Sequence, residues 1–270
     1  MDAVSAAARR ERYRELHAAS GLFLMPNAWD VGSAQLLAAL GVPALATTSQ
    51  GFAWAIGKLD HDVTRDELVA HVQELAAATA LPLNVDSERC YPDDPGGVAE
   101  TVARLAAAGA AGFSVEDYDP AAGRIEAVDV AVARVAEAVS AKGDLVLTAR
   151  CENHLHGIDD LDDTIARLRA YRDVGADVVY APGLRDLEAI RRVVDEVGLP
   201  VNVLALPDGP PLGELEAAGV RRVSVGSLLT SAAYGALVAG ARELLETGTS
   251  SYAQHGVSRD LVARAFSGGR

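Results

Sequence analysis

Acidic residues gather in this chain at points that directly follow short apolar runs: Asp86-Ser87-Glu88 after Leu83, Glu116-Asp117 after Gly112, and Asp60 in the loop beyond Ala44. A basic residue, Arg150, closes another such run, Leu145-Val146-Leu147-Thr148-Ala149. Carboxylates drawn together in a partly dry pocket repel one another and require protons or a cation. Oxygen ligands without a histidine or cysteine cluster point to Mg2+, with Mn2+ as the alternative, held directly by one or two carboxylates and otherwise through water. Arg150 offers a planar fork suited to a substrate carboxylate. The small residues Thr47-Thr48-Ser49-Gln50-Gly51 form a loop whose backbone N–H groups can cradle an anion. The bland alternative is that Asp86 and Glu88 merely begin a loop and Arg150 pairs with one of them. Their joint placement favours a site.

For these groups to meet, separate strands must end at one place. Short β-branched or leucine-rich runs alternate with longer alanine-rich segments of helical period, the pattern of repeated βα units on a parallel sheet. Eight runs qualify, at 22–25, 44–47, 83–86, 112–115, 145–148, 177–180, 201–204 and 222–225. Between them, Thr64 and Glu67 form a capping-box pattern ahead of the stripe Leu68, Val72 and Leu75. Gly41, Gly175 and Gly198 end helices just before the next strand, where a left-handed cap is expected. This predicts a single α/β domain over residues 1–270, a closed (β/α)8 TIM-type barrel, for which roughly 250 residues is typical. An open doubly wound sheet is disfavoured, because Met25-Pro26-Asn27-Ala28-Trp29-Asp30 stands where a Gly-rich phosphate fingerprint would follow the first strand. In a barrel, the residues just past the strands share one face.

Composition narrows the partners. Half the residues (50%) are hydrophobic and 23% charged, which excludes disorder and coiled coil. A net charge of -14 without a basic patch excludes nucleic-acid and membrane-surface binding. Two cysteines, Cys90 and Cys151, are too few for a disulfide framework, and the first twenty or so residues carry charges where a signal peptide needs an apolar core. The most apolar stretch, 228–241, is interrupted by Thr230 and Ser231. The expected location is cytoplasmic. Residues 258–266 make a capped amphipathic stretch too short to be stable unless docked.

In order and spacing, Pro26-Asn27-Ala28-Trp29-Asp30, the loop 49–60, Val85-Asp86-Ser87-Glu88, Val115-Glu116-Asp117, Thr148-Ala149-Arg150 and Gly175-Ala176-Asp177 with Ala181-Pro182-Gly183 resemble the isocitrate lyase/phosphoenolpyruvate mutase superfamily over nearly the whole chain. The resemblance implies a barrel whose last helix is exchanged between subunits in a homotetramer, a dimer of dimers, with 247–270 as the oligomerisation segment. It implies Asp86 nearest the Mg2+, with Glu88, Glu116 and Asp60 completing the shell largely through water. By the same resemblance, Thr48, Ser49 and Gln50 hold a substrate carboxylate and Arg150 binds substrate. The chemistry implied is Lewis-acid stabilisation of the enolate left when a bond beyond the α-carbon of a 2-oxo acid breaks.

One stretch departs from the pattern. Where isocitrate and methylisocitrate lyases carry a Lys-Lys/Arg-Cys-Gly-His loop, this chain has Tyr118-Asp119-Pro120-Ala121-Ala122-Gly123-Arg124, and the lysine and asparagine of the mutase gate loop are missing too. The expectation is therefore a Mg2+-dependent lyase acting on a small 2-oxo acid or dicarboxylate, by decarboxylation or C–C cleavage with protonation by solvent. Phosphonopyruvate hydrolase or phosphoenolpyruvate mutase-type P–C chemistry and noncatalytic 2-oxo acid binding are the alternatives.

Lesser candidates have milder readings. Cys90 and Cys151 are expected to be inert, and His154 and His156 to be solvated. Glu152 is expected to steady Arg150, Tyr118 to serve in a lid with Gly123 as hinge, and Asn202, past the seventh strand, to contact substrate or cap its loop. Trp29 and Trp54 wall the pocket or fill core. Arg9-Arg10-Glu11-Arg12 and Arg191-Arg192 read as solvated helix faces.

Overall fold

The computed structural model describes residues 5–267. Eight parallel strands form one curled sheet: β1 (Phe23–Leu24), β2 (Leu45–Ala46), β3 (Leu83–Asp86), β4 (Gly112–Glu116), β5 (Val146–Arg150), β6 (Val178–Tyr180), β7 (Val201–Leu204) and β8 (Arg222–Ser224). Each pairs with its neighbour in sequence, β8 returns to β1, and the ring closes where Asn27, just past β1, bridges Ala46 of β2. This is the expected barrel, and all eight apolar runs are strands.

Helices follow the strands on the outside: α2 (Val31–Ala39), α3 (Ser49–Ala55), α4 (Arg65–Ala78), α5 (Gly97–Ala107), α6 (Val128–Ala141), α7 (Leu161–Asp173), α8 (Leu187–Val197) and α9 (Leu212–Ala217). The Thr64/Glu67 capping box opens α4 as expected, with both reciprocal bonds present. Gly41, Gly175 and Gly198 adopt φ of 86°, 106° and 73°, the left-handed conformation that the sequence required of them. The main core lies between strands and helices, with Val85, Phe113, Leu147 and Val179 completely buried.

The N-terminal end of the barrel is shut by α1 (Ala6–Ala18), whose Tyr13 is fully buried beneath the sheet. Gly112 makes room for it: a Cβ there would lie 2.7 Å from the Tyr13 ring and 2.6 Å from the carbonyl of Val146. Arg9 and Arg10 correct the reading of α1 as a solvated face. Arg9 donates to the carbonyl of Ala76 and Arg10 to those of Ala106 and Ala110, so both cations cap the C-terminal turns of α4 and α5, where the helix dipoles are negative. Arg191 and Arg192 do lie on an exposed face.

Past β8, α10 (Leu228–Thr247) leaves Leu237, Val238 and Leu245 exposed, and Leu24 on the outside of β1 is 40% exposed. Then α11 (Arg259–Phe266), capped by Ser258 as expected, lies against α2 of the same chain. The last part of the expected segment 247–270, residues 268–270, falls outside the described residues. Among the described residues, no helix is long and apolar enough to cross a membrane.

Candidate active site

Asp86, Glu116 and Arg150 are the final residues of β3, β4 and β5, and the parallel register sets Asp86 beside Ser114 and Glu116 beside Arg150. Their side chains meet at the C-terminal mouth. Arg150 donates to Asp86 Oδ1 at 2.7 Å through one terminal nitrogen, lies 3.3 Å from Glu116 through the other, and gives its Nε–H to Glu152 at 2.8 Å. Glu152 thus steadies the guanidinium, as the sequence suggested. The second oxygen of Asp86 accepts the backbone N–H of Ser49 at 3.1 Å, and the Thr47 hydroxyl accepts the Asp86 N–H at 2.8 Å. The Thr48 hydroxyl caps α3 by accepting the N–H of Gly51, which aims the Thr48-Ser49-Gln50 backbone at the acids.

On the loop side, Asp60 and Glu88 flank His61. The ring's Nδ1 is 3.3 Å from Glu88 and its Nε2 is 3.9 Å from Asp60. Ligand atoms of these three residues lie within 4.8 Å of one another. His61 was missed by reading the loop as an oxygen-only set; its position directly after Asp60 was the one available signal. His61 and Glu88, with Cys90 and Tyr91 just beyond, take unusual backbone, with φ of 67°, 51°, 62° and 49°. Left-handed non-glycine residues are costly and cluster where function demands them.

The electrostatics follow from burial. Burial raises the carboxyl pKa values of Asp60 and Glu88, in each case partly opposed by His61. Glu116 is pushed well above the usual carboxylate range by burial, with Arg150 only partly offsetting it. Burial alone would lower Arg150, yet Glu152, Glu116 and Asp86 hold it above its ordinary value and firmly charged. His61 is raised by its hydrogen bond to Glu88 against the opposing effect of burial. Five carboxylates therefore crowd one arginine and one imidazole, and Asp60 Oδ1 is buried with no hydrogen-bond partner among the described residues.

A cavity of about 320 Å3 opens beside them, lined by Asp60, Asp86, Arg150, the Thr48–Gln50 backbone and Tyr180. Several expected residues lie elsewhere. Asp117 turns away and is 1% exposed, accepting from Tyr171, Arg167 and the Glu152 N–H, so it supports the loops and does not face the mouth. Asn202 sits within β7, not past it, with both ends of its amide engaged inside the barrel, although it reaches the cavity wall. Cys90 and Cys151 are fully buried, and burial lifts the Cys90 thiol to about 12. His154 is not solvated but lies against Thr164, and His156 stacks on Tyr118 with ring centres 3.6 Å apart. The stretch from Tyr118 to Ile125 folds as a small antiparallel hairpin turning at Gly123. Trp54 stacks on Tyr234 of α10, and Trp29 packs beside Gly51.

Comparisons with known proteins identify the family and the fold. The phosphoenolpyruvate phosphomutase family profile matches residues 13–245. A solved structure from Burkholderia cenocepacia J2315, provisionally named a lyase/mutase, superimposes with a TM-score of 0.90 at 48% identity, covering 95% of each chain. An uncharacterised protein from Mycobacterium tuberculosis (strain CDC 1551 / Oshkosh) is 35% identical over 82% of this chain and 83% of its own length. An oxaloacetate decarboxylase from Bradyrhizobium sp. (strain ORS 278) is 30% identical over 72% of this chain and 63% of its own length.

Proposed function

Because the chain belongs to the phosphoenolpyruvate phosphomutase family, within the isocitrate lyase/phosphoenolpyruvate mutase superfamily of lyases and mutases, we propose that it is a Mg2+-dependent lyase that cleaves a C–C bond of a small 2-oxo acid or related dicarboxylate. The observation that carries this reading is the surplus of buried carboxylate around Asp86, with Asp60 Oδ1 left unpartnered. That donor set fits a hard divalent cation, Mg2+ or Mn2+. Asp86 would hold it most directly, with Glu88 and Glu116 beside it and Asp60 acting through water. Bound there, the cation supplies Lewis-acid charge for the oxygen on which negative charge builds as the bond breaks.

The chain's own groups supply the rest. Arg150, clamped by Glu152 and Glu116, orients a substrate carboxylate without free rotation. The N–H groups of the Thr48-Ser49-Gln50 turn offer fixed dipoles to the substrate's anionic end. Leu155 and Pro182 add apolar surface to the cavity wall. With neither cysteine nor lysine on the Tyr118–Ile125 hairpin, protonation of the product falls to solvent. We further propose a cytoplasmic homotetramer of single-domain subunits with 247–270 as its assembly segment, a reading supported by the exposed apolar side chains of Tyr252, Val257 and Phe266 in that segment and of Leu237 and Leu245 on α10, and by two free cysteines.

The test incubates oxaloacetate, 2-methylisocitrate and phosphonopyruvate separately with the protein, in Mg2+ and then in EDTA. Pyruvate release from one of the first two, lost in EDTA, is expected. Phosphate release alone would move the reaction to P–C chemistry, and tight binding with no turnover of any would make the protein a binder.

A further inference from the structure

Deeper in the barrel sits a charge of the opposite sign. Arg222 is 1% exposed, and among the described residues no carboxylate lies within 4.0 Å of its guanidinium. Its partners are neutral: Asn202 Oδ1 at 2.8 Å, the Tyr13 hydroxyl at 2.8 Å and the Thr148 hydroxyl at 3.0 Å. His17, the fourth, is kept uncharged, its pKa pushed down to about 3 by burial and then by Arg222. A buried cation without a counter-anion is costly, so hydrogen bonds alone leave its charge uncompensated.

The direction of the hydrogen bonds shows where that charge is felt. Arginine can only donate, so Asn202 turns its carbonyl to Arg222 and its amide N–H to Ser224 Oγ, 2.9 Å away. Having accepted there, the Ser224 hydroxyl has its own proton to give onward, and it lines the same cavity as Asp86. Tyr180, on that wall, places its ring 5.3 Å from the guanidinium carbon of Arg150. The cavity thus has an acidic rim and a floor polarised positive.

Building on the proposed function, we infer that Arg222, Asn202 and Ser224 form a second anion subsite, which holds the far carboxylate of a dianionic 2-oxo acid while its 2-oxo end faces Asp86. Ser224 is the contact group, and Arg222 and Asn202 are positioning residues that polarise it. The cavity of about 320 Å3 is roomier than a three-carbon acid needs.

Calorimetric titration of the full-length protein in Mg2+ gives Kd for pyruvate, with one carboxylate, and for 2-oxoglutarate and 2-oxoadipate, with two and with no carboxylate placed to be lost from the carbon next to the oxo group. At least one dicarboxylate should bind about tenfold more tightly than pyruvate, and Ser224→Ala and Arg222→Met should erase that advantage while leaving pyruvate binding unchanged. If Arg222→Met does not fold, as judged by its thermal melt, Ser224→Ala carries the test. A dicarboxylate preference that survives Ser224→Ala, or no preference in the wild type, overturns the subsite alone. Failure of all three acids to bind overturns the proposed function and the subsite together.

Discussion

The two ends of the barrel are built on opposite terms. At the C-terminal mouth, like charges crowd together, and the backbone is left-handed at His61, Glu88, Cys90 and Tyr91. At the N-terminal end, most devices are conciliatory: Arg9 and Arg10 meet helix-end carbonyls, Gly112 yields space, and Tyr13 fills it, with the buried Arg222 as the exception. One end holds strain and unbalanced charge in readiness for a ligand; the other supplies the stability that lets the first persist.

Mutation should separate them. The largest effect is expected from Asp86→Ala, a fall of about 10^3-fold in kcat/KM in steady-state assays, with the urea midpoint unchanged or raised because a crowded charge is gone. Loss of fold in that variant would break the contrast. Next comes the metal itself: at a hundredfold excess over Kd, Mg2+ should stabilise the protein by about 2.7 kcal/mol. That gain should depend on pH. Asp60, Glu88 and Glu116 have folded pKa values raised by burial, so in metal-free protein they favour folding at low pH and lose that contribution as pH rises through the raised values. The Mg2+-induced rise in Tm should therefore grow with pH across that window, and a flat profile would count against these groups as ligands. The closed end carries the opposite sign. His17 is depressed to about 3 from 6.5, so its contribution is present above 6.5 and is lost as pH falls toward the folded value.

Gly112→Ala should lower unfolding free energy by about 1–3 kcal/mol in urea titrations with kcat/KM little altered, since its Cβ would meet the Val146 carbonyl at 2.6 Å. Glu152→Gln should reduce kcat/KM about tenfold by loosening Arg150, with little change in Tm. The smallest effect is expected at Cys90: with its thiol at about 12 and no exposed surface, incubation with iodoacetamide should leave turnover intact. Rapid inactivation with Cys90 labelled would show that the mouth opens further than its geometry implies.

Strand positions were legible because apolar runs of the right length recur with glycine and capping signals between them. The site acids were legible because a parallel barrel fixes which end of every strand faces the mouth. What escaped was direction within a loop or strand. Asp117 follows Glu116 and points the other way, and His61 follows Asp60 and points inward; adjacency in sequence does not distinguish the two cases. Buried parallel strands are apolar on both faces, so nothing in the local pattern marked Asn202 as facing the barrel interior. Arg9 and Arg10 looked like any exposed helix face because their acceptors are backbone carbonyls, which leave no trace in side-chain patterning.

The plug formed by α1 bears on how the chain is made. Tyr13 is held by Arg222, 209 residues later, so α1 lacks this part of its seat until β8 has been made. At about 5–20 residues per second, that interval is about 10–40 s. Over that interval the base of the barrel stays open on the β8 side, and it is the meeting of α1 with β8 that shuts it.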